Sequence, residues 1–109
     1  MIKIWVDDER PMPDGYDVHC RFVYETIAEI AYWSSGDEDI LIDLDHDAGD
    51  MAWGGGDYIN ILKAYGAGWG GLMLHREGIN LKVHFHSANP VGVKNMRAIV
   101  EDCPWMEEV

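Results

Sequence analysis

The amino-acid sequence predicts a single α/β domain, residues 1–109, built on a mostly parallel β-sheet. Short β-branched and aromatic runs alternate along the chain with segments whose apolar residues recur at helical spacing. This alternation is typical of parallel strands, because a helix between two strands carries the chain back across the sheet. The length of 109 residues and the hydrophobic content of 48% suffice for one buried core and leave no room for a second domain.

The first half of the chain predicts three strands and one helix. Residues 2–6 form a β-branched and aromatic run that ends in two aspartates, which indicates a buried strand. Residues 18–23 predict a second strand. The helical spacing of Ile27, Ile30, Ala31 and Ser34 predicts a helix that Gly36 would end. Residues 39–44 then predict another buried strand.

The second half predicts a helix, a strand and a further helix. Residues 58–65 carry apolar side chains on one helical face, and Gly66 would close that helix. Residues 81–87 alternate apolar and polar side chains, as in a half-buried strand. Asn89 is a favourable N-cap, and Pro90 fits the first position of the final helix.

Two stretches give no clear structural prediction. Residues 67–80 show neither helical nor strand periodicity of their apolar side chains. Residues 66–71 satisfy G-x-G-x-x-G but follow a predicted helix. A dinucleotide-binding loop would instead join a strand to a helix, so we interpret this motif as a flexible loop. Trp53, Trp69 and the glycines at 54–56 suit an ordinary loop or a lid over a ligand.

Charge and cysteine content limit the function classes. The formal net charge of −12, from 20 acidic and 8 basic residues, repels polyanions, so non-specific nucleic-acid binding is not expected. The same excess suits a divalent cation that recruits a small phosphorylated ligand, or it simply favours solubility. Cys20 and Cys103 lack disulfide or zinc spacing, and no apolar stretch is long enough for a signal peptide or a membrane span. We therefore expect a cytoplasmic protein without membrane association.

Polar residues follow the predicted strands, at what should be one edge of the sheet. In a parallel sheet of flavodoxin-like order, ligands bind beyond the carboxyl ends of the strands. Aspartates at one strand end are often turn formers or caps, but crowded carboxylates raise one another's pKa unless a cation or a proton compensates. The convergence therefore predicts a site for a metal ion or for proton transfer. The residues concerned are Asp7, Asp8, Asp45, His46, Asp47, His86 and Ser87.

Two histidines share one face of the last predicted strand. His84 and His86 are two residues apart, so their side chains point to the same side. A lone histidine there would more often be packed or hydrogen-bonded than catalytic. His86 stands at the strand end and is the better candidate for a proton donor to an oxygen leaving phosphorus, with His84 orienting it.

Phosphate-binding groups are predicted beside these side chains. The helix that begins at Asn89 and Pro90 would direct free N–H groups and a positive dipole end toward the same edge. Ser87 can donate a hydrogen bond to a phosphate oxygen. Arg10 can bind phosphate through two hydrogen bonds or bridge to a carboxylate, and the sequence leaves both alternatives open.

Three sequence blocks carry a resemblance to a known family. They are Asp-Asp-Glu-Arg-Pro-Met-Pro-Asp-Gly at 7–15, Leu-Asp-His-Asp-Ala-Gly at 44–49, and His-Ser-Ala-Asn-Pro-Val-Gly-Val-Lys-Asn-Met at 86–96. Together they resemble the cyclic-phosphate processing receiver-like domain, a compact relative of response-regulator receivers. The resemblance implies a flavodoxin/receiver-like three-layer sandwich with a short, mostly parallel sheet. It also implies a role in handling cyclic phosphates, such as those produced during RNA breakage and repair.

The resemblance also assigns roles by position. Asp7 and Asp8 correspond to the acidic pair of receivers, Asp45 to the phospho-accepting aspartate and Ser87 to the hydroxyl residue after the fourth strand. Asn95, in the third block, is assigned to substrate binding. A receiver continues to a fifth strand that bears a lysine, whereas this chain is expected to end after a helix over 89–102. Lys94 is no obvious substitute for that lysine, so we expect a fold truncated relative to a full receiver and no ordinary phosphorelay signalling.

The leading hypothesis is a metal-assisted phosphodiesterase that acts on a small cyclic phosphate, of the nucleotide or ADP-ribose type. Mg²⁺ or Mn²⁺ would neutralise the phosphate and activate water, and His86 would protonate the leaving oxygen. The alternative is a non-catalytic receiver-like module that binds a phosphorylated ligand or a protein partner. The residues assigned under the leading hypothesis are Asp7, Asp8, Asp45 and Asp47 for the metal, His86, His84, His46 and Asp45 for catalysis, and Arg10, Ser87, Asn89 and Asn95 for the substrate.

Overall fold

The computed structural model describes residues 1–36, 38–48, 56–67 and 81–109, and these form an α/β structure around one parallel sheet. The sheet order is β2-β1-β3-β4-β5, and every neighbouring pair is parallel. This is the flavodoxin-like order, so the predicted fold class is confirmed. The strands are β1 (Ile2–Val6), β2 (Val18–Cys20), β3 (Ile40–Leu44), β4 (Leu81–Phe85) and β5 (Met106–Glu108).

Three helices connect the strands in the described ranges: α1 (Val23–Trp33), α2 (Ile59–Ala67) and α3 (Pro90–Glu101). The Glu25 carboxylate accepts the backbone N–H of Phe22, which starts α1 there and limits β2 to three residues of the predicted 18–23. Asn89 caps α3 as predicted, because its side-chain oxygen accepts the N–H of Gly92 at 2.9 Å.

The three helices lie on one face of the sheet. The connections from β2 to β3, from β3 to β4 and from β4 to β5 all step in the same direction, and right-handed crossovers then place every helix on the same side. Helix α2 contacts both α1 and α3. The side chains that face this layer are buried: Ile2, Ile4, Val6, Ile40, Ile42, Leu44, Leu81 and Val83.

The opposite face of the sheet carries a different set of side chains. No helix of the described ranges covers it, so the third layer of the predicted sandwich is not helical in this part of the chain. Trp5 and Asp43 are buried on this face, whereas His84 is exposed. Trp5 pairs in register with Asp43, and Asp43 with His84, so the three side chains stand in one row across the sheet.

The fifth strand corrects one expectation. We expected the chain to end after its last helix, but β5 pairs in parallel with β4. The N–H of Val109 donates to Val83 at 2.9 Å, which continues the ladder to the last residue. The strand is only Met-Glu-Glu and has no β-branched or alternating apolar pattern, so its sequence gave no strand signal. It carries no lysine.

Some expectations fall on positions outside the described residues. They include the lid at Trp53 and the glycines at 54 and 55, the loop with Trp69, and most of the stretch at 67–80. Among the described helices, none combines the length and apolarity needed to cross a membrane.

Candidate functional site

Asp7 forms the centre of the turn that follows β1. Its side chain is fully buried, and its Oδ1 accepts the backbone N–H groups of Glu9 at 2.8 Å and Arg10 at 2.9 Å. An aspartate that accepts backbone donors two and three residues ahead stabilises a tight turn. This turn holds Asp8 and Arg10 at the carboxyl edge of the sheet.

His86, directly after β4, lies between two carboxylates. Its Nε2 is 2.9 Å from Asp7 Oδ2, and its Nδ1 is 2.6 Å from Asp43 Oδ1. The ring also stacks on Trp5, with centroids 3.9 Å apart and an interplanar angle of 7°. Both nitrogens can donate only when the ring is an imidazolium ion. Two carboxylates on one ring therefore favour the protonated form of His86.

The pKa values in this group follow from burial and pairing. Burial alone would lower the pKa of His86, but hydrogen bonds to Asp43 and Asp7 raise it above its ordinary value. Burial alone would raise the pKa of Asp7, yet N–H donors of Arg10 and Glu9 and the His86 ring bring it below the usual value. Asp43 has a lowered pKa because His86 and Tyr16 donate to it, which outweighs its burial.

Asp43 and Tyr16 were missed by the sequence reasoning. Asp43 stands inside β3 and is 3% exposed, and the hydroxyl of Tyr16 donates to its Oδ2. Burial and the Asp43 carboxylate raise the pKa of Tyr16 to about 12. A signal did exist, because an aspartate within the apolar run Ile-Leu-Ile-Asp-Leu must be paired if that strand is buried.

Asp7, Asp8 and Asp45 bring three carboxylates together as predicted. Each offers one oxygen, and these oxygens lie within 4.8 Å of one another. Burial raises the pKa of Asp8, and the negative charges of Asp7, Asp45 and Asp47 add to that effect. Carboxylate oxygens are the ligands that Mg²⁺ and Mn²⁺ prefer, so the residues present fit such an ion. Asp8 and Asp45 are half-buried and face the surface, whereas Asp7 lies beneath them.

A cleft of about 460 Å³ opens beside these carboxylates. Arg10 is at its edge, where its guanidinium donates to the carbonyl oxygen of His86 at 2.8 Å and lies 3.8 Å from Asp7. Ser87 accepts the backbone N–H of Asn89 at 3.0 Å, at the start of α3. The cleft is lined by Glu9, Arg10, Asp45, Asp47, Ser87, Ala88 and Asn89.

A model of the cyclic-phosphate processing receiver domain matches residues 2–102 of the chain. The chain belongs to this family. A search of curated proteins and a search of solved structures each gave no significant match. The family description agrees with a cleft that combines carboxylates with groups suited to phosphate.

Not every predicted site residue of this receiver domain lies in the cleft. His46 packs its ring against Gly92 of α3, and its Nδ1 lies 2.8 Å from Asp47 Oδ1. His46, Asp47 and Asp57 form a second group that could hold a metal ion. His84 is exposed on the sheet face, where its Nδ1 is 2.9 Å from the carbonyl oxygen of Val109. Neither His46 nor His84 lines the cleft described above.

Asn95 and His86 also differ from the roles expected of them. Asn95 is exposed on α3 and is not a lining residue of that cleft. His86 is at the site, but one of its two carboxylate bonds would have to open before its ring could give a proton to a substrate. Its role as a proton donor stays a prediction. In this receiver domain both Asp7 and Asp43 are paired with His86, which follows β4, and β5 contains no lysine.

Proposed function

We propose that this receiver domain is a metal-dependent phosphodiesterase that hydrolyses a small cyclic phosphate in the cleft beside Asp45. One observation carries the proposal: Asp45, which belongs to a group of three carboxylates, lines the same cleft as a guanidinium, a hydroxyl and a helix N-terminus. Carboxylates alone would repel a phosphate, and the donors alone would not require an acidic surround. Their combination suits a cation and a phosphate held side by side.

Asp8 and Asp45 would hold the cation, because their oxygens face the surface while Asp7 is buried below. When bound, Mg²⁺ or Mn²⁺ would supply charge neutralisation at the phosphate and a more acidic water. Asp7 contributes by fixing the turn that presents Asp8. Burial and then the neighbouring carboxylates raise the pKa of Asp8, and a cation would relieve the repulsion between these carboxylates.

Arg10, Ser87 and α3 would orient the phosphate. Arg10 is about half exposed, so its guanidinium can reach a ligand while it keeps its bond to His86. Ser87 accepts a hydrogen bond from Asn89 and can still donate its own proton to a phosphate oxygen. The N-terminus of α3 adds a positive dipole end at the same place.

In the proposed reaction a water oxygen bonds to phosphorus and one ring P–O ester bond breaks. The products are a phosphate monoester and a hydroxyl group on the same sugar. Opening a small ring releases strain, and the leaving oxygen takes its proton from water in the open cleft. The net charge of −12 repels long RNA, so we propose a nucleotide-sized substrate, such as a 2′,3′-cyclic nucleotide or an ADP-ribose cyclic phosphate.

Phosphorus NMR tests this function directly. The chain is incubated with each cyclic phosphate in Mg²⁺ or Mn²⁺, and again with EDTA. We expect a monoester signal that depends on the metal and is lost in Asp45→Asn. The control is Asp14→Asn, an exposed carboxylate outside the cleft lining, which should keep full activity. Turnover that persists in EDTA, or that survives in Asp45→Asn, contradicts the proposal.

A second candidate is a module that binds a phosphorylated ligand without converting it. The observation that favours it is the commitment of both His86 ring nitrogens to carboxylates, which leaves the predicted proton donor without a free nitrogen. Saturable binding of a cyclic phosphate by calorimetry, with no monoester after long incubation, would support this candidate and contradict the enzyme.

A further inference from the structure

One buried carboxylate outside the cleft has hydrogen-bond partners on both of its oxygens. Asp43 is 3% exposed, and one of its oxygens is bonded to His86 at 2.6 Å while the other accepts from Tyr16. A charge in an apolar strand is costly unless it is paired and hydrogen-bonded. The proposed reaction does not use Asp43, so its presence needs another explanation.

We infer that Asp43 is a positioning residue for the cation site, and this inference rests on the proposed function. Asp43 fixes His86, and His86 in turn fixes Asp7. Asp7 anchors the turn that carries Asp8 and Arg10. Asp43, in β3, therefore positions both the cation ligand Asp8 and the phosphate-binding residue Arg10.

The first step of this connection fixes the ring of His86. Its plane is set by the Trp5 stack, with only 7° between the two rings. The hydrogen bond to Asp43 fixes the orientation of the ring within that plane. Tyr16 donates to the other oxygen of Asp43 and so fixes the carboxylate. The backbone N–H of His86 also donates to Leu44 at 2.9 Å, so the main chain is tied to β3 as well.

The second step fixes the turn after β1. With its Oδ2 held by His86, the Asp7 carboxylate keeps its Oδ1 on the N–H groups of Glu9 and Arg10. Rotation of the carboxylate would break all three hydrogen bonds together. Arg10 is tied a second time, since its guanidinium donates to the carbonyl oxygen of His86.

Groups that orient metal ligands through hydrogen bonds typically change metal affinity or activity by about 10- to 100-fold when mutated. We expect a loss of this size in Mg²⁺ affinity for Asp43→Asn, which keeps the shape of the side chain and removes its charge. Tyr16→Phe removes only the hydroxyl group and should give a smaller loss in the same direction. Asp14→Asn is the control, and its affinity should match that of the unaltered chain.

The test combines calorimetric titration with Mg²⁺ and NMR of histidine ring protons in the full chain. The unaltered chain should show two slowly exchanging ring N–H signals from His86, assigned by their loss in His86→Gln. Asp43→Asn should lose or shift the Nδ1–H signal, bind Mg²⁺ about 10- to 100-fold more weakly and recover turnover as Mg²⁺ is raised. A merely structural role would not give recovery by added metal.

The possible results are distinguishable. An Asp43→Asn chain that shows the altered His86 signal but binds Mg²⁺ normally overturns the inference and leaves the proposed function intact. A chain that binds no Mg²⁺ or Mn²⁺ even when unaltered overturns both. If Asp43→Asn fails to fold, Tyr16→Phe decides, and normal Mg²⁺ affinity with a shifted His86 signal in that variant overturns the inference.

Discussion

Gly92 lies where the start of α3 meets the ring of His46. A Cβ built at Gly92 would lie 2.5 Å from His46 Cδ2 and 2.9 Å from Nδ1. Ordinary carbon contacts are near 3.5 Å, so the ring would have to retreat by about 1 Å in Gly92→Ala. A retreat of the ring would break its contact with Asp47, because the His46 Nδ1 lies 2.8 Å from that carboxylate.

Two opposing effects set the magnitude. Overpacking of this kind costs up to about 3 kcal/mol, while replacing a helical glycine by alanine gains up to about 1 kcal/mol. We therefore expect Gly92→Ala to lower the free energy of unfolding by about 2 kcal/mol, which corresponds to roughly 8 °C in Tm for a domain of this size.

Urea unfolding of a double-mutant cycle measures the effect. In a His46→Ala background the clash is absent, so Gly92→Ala should be neutral or stabilising, and the coupling should be about 2 kcal/mol or more. Gly36→Ala is the control, since its Cβ would meet the Trp33 carbonyl oxygen at an acceptable 3.4 Å. A stable Gly92→Ala chain, or a loss that His46→Ala does not relieve, would refute the reasoning.

Four further predictions concern the pH dependence of stability, phosphorylation and a buried hydroxyl group. Stability from the raised pKa of His86 is complete below its ordinary 6.5 and is lost as pH rises through the folded value, so urea titrations should show the free energy of unfolding falling above about pH 6.5. Stability from the lowered pKa of Asp43 is lost as pH falls below 3.8, so the free energy should also fall there, and a flat profile on either side would contradict the pairing. Acetyl phosphate with Mg²⁺ should leave the mass of the chain unchanged, because β5 has no lysine, whereas an adduct on Asp45 in mass spectrometry would indicate signalling. Tyr58→Phe should cost about 1 to 2 kcal/mol in urea unfolding, because the buried hydroxyl donates to the Arg21 carbonyl oxygen at 2.8 Å, and a loss below about 0.5 kcal/mol would contradict this.

The sequence predicted best those elements whose signal is local. Residues 2–6 were predicted to their ends because β-branched residues run directly into the Asp7 turn. Residues 18–23 were predicted as one strand, but Glu25 caps a helix at Phe22 and divides the run. β5 could not be predicted, because three residues of Met-Glu-Glu become a strand only through pairing with β4.

The candidate site also combines features that the sequence predicts with features that depend on the folded structure. The approach of Asp7, Asp8 and Asp45 could be predicted, since the strands of a parallel sheet end at a common edge. The partnership of His86 with Asp43 could not, because it depends on which strands are neighbours and on their register. Sequence spacing alone places these two residues 43 positions apart and gives no reason to pair them.

The cleft takes its lining from three separate parts of the chain, near residues 9–10, 45–47 and 87–89. Unfolding disperses these parts, so a ligand of the cleft should bind the folded chain alone. Such a ligand stabilises the folded chain by mass action and so raises its melting temperature. The stabilisation is about 2.7 kcal/mol when the free ligand concentration is one hundred times the dissociation constant. A panel of candidate metabolites can therefore be ranked by heating the protein with each one, before any chemical conversion is sought.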